Sequence, residues 1–399
     1  MTEEMRYRIL PILAIAIMFT GCCTCRKANK EMDNKITANA SEMLPQEAPL
    51  WGGLLYSTLL MDNSENVCIS PLSAQLAFAM TATGARGETR EEIEKVMRIG
   101  DGLTEQIVSL REEGEHYEVN IANSIWINWN LPVKERFIEE NRECYDAEVN
   151  RIPFDAAAPE KINGWCKENT NGKIPSIIDE IKPTDMMYLI NALYFKAPWR
   201  NEFNAKATKK QDFTTAGGEK VQAEMMHQTI TTGYYNDEAI QIVSKPFKER
   251  YEMLFILPER NVSISEALAY FTAEYDNCMS GMEQYRVELS LPKFKSEYQM
   301  PLKSILNSMG MERAFGAGAE FGGITKKPLY IDDAIQKTFI SIDEEGAEAA
   351  AVTAVMVGFL STGPRKSVSV TFDRPFLYAI KDYTTGSILF IGKVGNPNK

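Results

Sequence analysis

Apolar positions recur along this chain with two different periods. In SPLSAQLAFAMTATGARG, Ser70 to Gly87, they follow a helical spacing that Gly84-Ala85-Arg86-Gly87 interrupts. TREEIEKVM then restarts a helix, with Thr89 and Glu92 spaced as a capping box in which each side chain satisfies a free backbone N–H. Further on the period shortens. VNIANSIWI, MMYLINALYF, YEMLFIL, YRVELSLPKF, KSVSVTF and GSILFIGKV alternate or run continuously apolar, rich in β-branched and aromatic residues, and predict strands. Helices dominate the first third and strands the last, without regular alternation, so the class is α+β rather than a doubly wound sheet.

A segment of another kind precedes this body. Arg6 and Arg8 lead into ILPILAIAIMF, Ile9 to Phe19. This run is shorter than the roughly 20 residues that span a bilayer and fits the core of an export signal. Phe19-Thr20-Gly21-Cys22 resembles the lipobox of bacterial lipoproteins, which implies cleavage before Cys22 and lipid on its sulfur. The alternative is an ordinary secretory signal cut nearby. The expected division is a signal peptide over 1–21, a tether over 22–48 rich in Lys, Asn, Glu and Ser, and a folded body over 49–399. The body would be exported and lipid-anchored in the bacterial cell envelope, at the outer membrane or cell surface.

Composition narrows the chemistry. A net charge of −12 leaves no basic field for a phosphate backbone, so nucleic acid is not an expected partner. With 399 residues, length alone predicts two or three domains at about 150 residues each. Cys68, Cys144, Cys166 and Cys278 match no zinc or disulfide spacing and are expected as buried free thiols. His116 and His227 are the only histidines, neither in a nucleophile context, and there is no G-x-S-x-G elbow. Gly316, Gly318 and Gly322 follow a helical stretch, contrary to the dinucleotide fingerprint. No enzyme activity, metal or cofactor is expected.

The tract EEGAEAAAVTAVMVGFLST, Glu344 to Thr362, stands apart from the rest. Alone, it reads as a buried helix followed by a strand. It occurs, however, in ordered company. NVCISPLSAQLAFAMTATGARGET, INGWCKENTNGKI, LINALYFKAPW, VELSLPKFK, LNSMGMERAF, EEGAEAAA and FDRPFLYAIKDYTTGSILFIGKVGNP together resemble the serpin family, in its order, from about Leu50 to Pro397. The resemblance implies a single α+β domain, a monomer of three β-sheets and eight or nine helices with an exposed reactive-centre loop. That implication overrides the length-based domain count.

By resemblance, Glu344, Glu345, Gly346, Ala347, Glu348, Ala349, Ala350 and Ala351 form the hinge of that loop, and the bond cut by a protease joins Leu360 to Ser361. A register one residue shorter places the cut after Phe359. The implied partners are endopeptidases trapped covalently, either chymotrypsin-like or elastase-like serine proteases or papain-like cysteine proteases. After cleavage the loop would enter the main sheet as a strand. Ala347, Ala349, Ala351, Thr353, Val355 and Val357 would then share one face, all small or β-branched, while Glu348 turned away from the core. Ala347→Arg is expected to block that insertion without disturbing the uncut fold.

Ser70, Ser73 and Asn191 match the family's polar cluster beneath the opening strands, and Trp199 matches the tryptophan where the loop goes in. The chain departs from the pattern at Gln336, where the family has a histidine, and at Ala197, where it has a glycine. The competing reading is a non-inhibitory binding or carrier protein of the same fold. GDGLTEQIVSLREEGEHYEV is acidic where some relatives are basic, so activation by polyanions is not expected. Leu360→Arg should shift target preference from chymotrypsin-like to trypsin-like proteases by about tenfold or more in inhibition rate, since a cation in an apolar pocket costs at least about 1.4 kcal/mol. Unchanged preference would place the cut bond elsewhere.

Overall fold

The computed structural model describes residues 48–100, 103, 106, 107, 114–145, 147–347 and 366–399. Six strands form one sheet: β2 (Glu118–Asn128), β3 (Glu148–Ile152), β4 (Met187–Pro198), β10 (Phe294–Pro301), β11 (Asp333–Ile342) and β12 (Gly346–Ala347), in the order β10-β11-β12-β4-β2-β3. Nine others form a second hydrogen-bonded network. It has one group of β1 (Asn66–Ile69), β15 (Ile388–Val394), β14 (Phe376–Asp382), β8 (Tyr251–Pro258) and β7 (Ile240–Pro246). The other group is β5 (Lys209–Thr214), β6 (Lys220–Asn236), β9 (Glu283–Pro292) and β13 (Ser367–Thr371). The groups meet only where Tyr234–Asn236 of β6 pair with β7, which makes them behave as two of the three expected sheets.

Among the described residues eight α-helices have both ends placed: α1 (Leu50–Met61), α2 (Pro71–Gly84), α3 (Gly87–Val96), α4 (Glu135–Tyr145), α5 (Ala158–Asn169), α6 (Ile264–Ala273), α7 (Tyr275–Ser280) and α8 (Leu302–Ser308). Ser70 caps α2 and Pro71 occupies its first turn, where the missing N–H costs nothing. The helix is apolar on nearly every side because it lies between the sheets, packed on β4 and β2 on one side and β15 on the other. Thr81, its buried polar residue, returns its hydroxyl to the Ala77 carbonyl at 3.0 Å.

The strand expectations hold. YRVELSLPKF divides into the end of β9 and the start of β10 at Pro292-Lys293. Strands β14 and β15 are continuously apolar since both of their faces are covered. The capping box does not form. Gly87, at φ 50°, lets α3 start two residues before Thr89. The Thr89 hydroxyl instead accepts from the Glu320 N–H, and the Glu92 carboxylate accepts from Glu312 and Arg313 N–H, so both tie α3 to a neighbouring loop. All four body cysteines are free, but Cys144 on α4 is exposed rather than buried. Burial pushes the Cys68 thiol up to about 11.

One core covers the inward face of the six-stranded sheet and a second covers its outward face. In the second, Trp126, Tyr188, Ile190 and Ile335 meet Ile162 and Trp165 of α5. Neither face of this sheet is simply solvated. At Gly392 on β15 the backbone approaches so closely that a methyl group would overlap the Val67 carbonyl and the Tyr378 phenol. Gly392→Ala should therefore destabilise the fold by about 1–3 kcal/mol, read as a lower denaturant midpoint; an unchanged midpoint would show that β1 yields freely there.

Candidate functional site

Strands β4 and β11 run parallel and pair only from Asp333–Thr338 against Tyr188–Leu193. Beyond that they part. Tyr194–Lys196 and Phe339–Ser341 do not pair with each other, and β12 occupies the widened end, with Ala347 opposite both Ala197 and Ile342 and Gly346 opposite Pro198. The central ladder of the sheet is thus split along about half its length, with the first two residues of a further strand already in place. Gly346 is required there, because a side chain would overlap the Ala197 carbonyl and stand 2.7 Å from the Pro198 Cα. Ala347 is fully buried, so Ala347→Arg would disturb the uncut fold as well, contrary to expectation.

The turn from β11 into β12 is held by the segment after β4. Three consecutive turn carbonyls each accept a hydrogen bond: Asp343 from the Trp199 indole at 2.9 Å, Glu344 from the Phe203 N–H at 2.9 Å, and Glu345 from the Trp199 N–H at 2.8 Å. The Asp343 carboxylate closes the turn from within, accepting from Glu345 and Gly346 N–H. Glu344 is buried yet charged. Its carboxylate meets Lys293 at 2.8 Å and the Thr208 hydroxyl at 2.7 Å. Burial opposes the charge, and these two partners outweigh it, holding the carboxyl below its usual range. Burial and the neighbouring Asp343 carboxylate push Glu345 the other way.

Beneath this turn Trp199 is fully buried and stacked on Phe247, centroids 4.3 Å apart. Lys245 on β7 reaches the same place. Its amine donates to the Asn201 carbonyl at 2.9 Å and the Gln228 side-chain oxygen at 2.7 Å, 5.0 Å from the Trp199 ring and 4.2 Å from that of Phe203. Burial alone pulls its pKa down to about 7.

Below the split, within the stretch where β11 still pairs with β4, Gln336 is fully buried and bonds Ser70 twice. Its Oε1 accepts from the Ser70 N–H and its Nε2 donates to the Ser70 carbonyl, both at 2.8 Å. The Ser70 hydroxyl accepts from the Ser73 N–H at 3.3 Å, and both serines are buried. Asn191 lies opposite Gln336 on β4 and opposite Asn123 on β2. Thr338, two residues along, donates to the Cys68 carbonyl at 2.7 Å. Ser70, Ser73, Asn191 and Gln336 are therefore brought together, with Trp199 at the other end of the opening. Glu348, Ala349, Ala350, Ala351, Phe359, Leu360, Ser361 and Cys22 lie outside the described residues. Sequence reasoning missed Lys293, Thr208, Phe203 and Lys245. A buried Glu344 required a cation, but nothing local points to one 51 residues upstream.

Among the described residues Glu115, His116 and Glu249 bring three possible ligand atoms within 4.8 Å of one another, exposed or half-buried, just before the end of β2 that pairs with Lys196. His227 rests its Nδ1 on the Ser290 hydroxyl at 2.9 Å. The other nitrogen of that ring, Nε2, has no partner among the described residues, so no acid orients the ring as a base.

The structure is thus a mixed α+β fold with a split central sheet and a buried hinge turn. The serpin (serine protease inhibitor) family model matches residues 52–397. A serpin-like protein of Thermococcus kodakarensis is 31% identical, the match covering 98% of this chain and 99% of that one. The native-state crystal structure of tengpin, a thermophilic serpin, superposes with a TM-score of 0.78 at 33% identity, over 87% of this chain and 94% of that one. Thyroxine-binding globulin complexed with thyroxine gives a TM-score of 0.80 at 28% identity, over 88% and 98%. The chain belongs to the serpin family, whose general activity is protease inhibition.

Gln336→Leu should leave the buried Ser70 N–H and carbonyl without that amide and cost about 2–4 kcal/mol, seen as a lower thermal midpoint. An unchanged midpoint would mean that Gln336 does not hold β11 to the start of α2.

Proposed function

We propose that this serpin is a suicide inhibitor of chymotrypsin-like or elastase-like serine endopeptidases, and of papain-like cysteine endopeptidases, and that it is itself not a catalyst. The observation that carries the reading is β12, two residues of a missing strand seated between β4 and β11. Its antiparallel register continues without a shift into the following sequence. Glu348 would come opposite Lys196, an opposite charge at the open end of the sheet. Thr353, the one hydroxyl of the inward row, would come opposite Asn191 and Gln336, where the sheet is polar. Val357 would come opposite Met187, where β4 begins. The inward row would land on Ile342, Ile340, Phe195 and Leu189, which are buried in the main core.

In the proposed reaction the protease nucleophile bonds to the Leu360 carbonyl carbon, the Leu360–Ser361 peptide bond breaks, and a proton transfers to the departing Ser361 amine. The acyl-enzyme is left tethered to the loop. Cleavage frees residues 348–360 from β13, and the strand can run down the opening. The existing six-residue ladder between β4 and β11 breaks, while each inserted residue gains partners for its N–H and carbonyl on both sides. At about 1 kcal/mol net per hydrogen bond, the gain exceeds the loss. Trapping succeeds when insertion outruns hydrolysis of the acyl bond. A lipid on Cys22 would hold the inhibitor at the surface of a cell envelope, with residues 22–48 as spacer.

The alternative, a carrier, has a precedent in fold in thyroxine-binding globulin complexed with thyroxine. Here the small-sided inward row and its register support insertion. Mixing with chymotrypsin, elastase or papain should give a conjugate that survives denaturing electrophoresis, and cleaved inhibitor should melt well above uncut inhibitor. Thr353→Arg should be cleaved at the wild-type rate yet give no conjugate and no rise in melting temperature, because its cation would have to enter beside Gln336. Cleavage of the wild type without conjugate supports the carrier; trapping by Thr353→Arg would overturn the register.

A further inference from the structure

The segment that grips the hinge turn depends on one buried side chain. Trp199 and Phe203 supply all three donors to the turn carbonyls, and Lys245 meets the alternate residues of that segment at once: the Trp199 ring, the Asn201 carbonyl and the Phe203 ring. Gln228 completes the arrangement, accepting from Lys245 while its own Nε2 donates to the Glu202 carbonyl at 2.7 Å. Lys245 is 1% exposed. Among the described residues no carboxylate forms an ion pair with it.

Several of the charged groups around the site are engaged elsewhere. From the turn, Glu344 is held by Lys293 and Thr208, and the Asp343 carboxylate accepts from Glu345 and Gly346 N–H. Glu345, Arg200 and Glu202 flank it from the turn and the gripping segment. On β6 His227 bonds Ser290, and on β8 Glu252 accepts from Ser244 and pairs with Lys381. The two oxygens match the two N–H groups of a neutral amine, and the ring faces can receive the third N–H of an ammonium. Either protonation state therefore fits. Only one places an uncompensated charge in the core.

We propose that Lys245 is the positioning residue of the hinge clamp, and that its protonation loosens the grip of Trp199 and Phe203 on residues 343–345, making loop insertion proton-sensitive. The consequence for insertion rests on the inhibitor reading above; the effect on the clamp does not. With burial setting the Lys245 pKa near 7 in the closed structure, an opened clamp, like an unfolded chain, binds more protons between that value and the ordinary lysine range. Closure is therefore favoured more as pH rises through that window. It is weakest at and below the lower bound.

The test is amide hydrogen exchange at Trp199 and Phe203, corrected for the intrinsic pH dependence of exchange. Wild-type protection should fall by at least about tenfold between pH 9 and pH 6. Lys245→Met, which keeps the shape and removes the charge, should hold protection constant across that range. In a chymotrypsin assay the conjugate formed per cleavage by wild type, divided by that formed by Lys245→Met so that the protease's own pH dependence cancels, should be larger at pH 6 than at pH 9. Flat wild-type protection overturns the proposal whether or not the variant folds, and a pH profile retained by Lys245→Met overturns it in favour of His227 or a turn carboxylate. Absence of conjugate in both proteins at every pH overturns the inhibitor reading, while the exchange profile still decides the role of Lys245.

Discussion

The proposed function depends on a ladder left unfinished. β4 and β11 pair for six residues and then separate, so the centre of the six-stranded sheet holds backbone groups on Tyr194–Lys196 and Phe339–Ser341 that face an opening instead of each other. Main-chain N–H and carbonyl groups are strong, obligatory partners, and a sheet that could close over them would. Gly346-Ala347 wedges its upper end, and at the lower end, where β11 still pairs with β4, Gln336 holds β11 to the start of α2.

The two ends are secured by different chemistry. At the lower end a neutral amide bonds both backbone groups of Ser70, an arrangement that keeps its strength across the physiological pH range because neither partner titrates. At the upper end the holding groups are ionisable. Glu344 keeps its charge through Lys293 and Thr208, and Lys245 sits among oxygens and ring faces without a carboxylate. Where the resemblance read in the sequence implies a histidine, glutamine at 336 gives that position nothing to titrate. Lys245 supplies a titratable group where the strand would enter.

Both cores are arranged to tolerate the change. The inward face of β4 and β11 is lined by Phe195, Leu189, Ile340 and Ile342, which small side chains can approach without displacing helix α2. The outward face is roofed by α5 through Ile162 and Trp165, so a strand arriving there must also be small on its second side. On the proposed register Ala350, Val352 and Ala354 would meet that requirement, and Glu348 would come opposite Lys196.

Much of this was legible in the residues. Period-two and continuous apolar runs located the strands, Ser70-Pro71 located the start of the buried helix, and the alanine-rich tract after Glu345 declared by its small side chains that it must fit a crowded place. Local patterns are readable because they report what each segment does with its own neighbours. Thr89 and Glu92 misled for the same reason: their spacing fits a cap, but Gly87 allowed α3 to start earlier and the loop over 312–320 took both side chains. What only the tertiary structure decided is how far β12 is already seated, which carbonyls Trp199 and Phe203 grip, and that Lys293 and Lys245 converge on the hinge from β7 and from beyond β9. Those facts depend on segments tens of residues apart meeting in a low-dielectric interior, where a charge finds its partner by position in space and leaves no mark in the sequence between them.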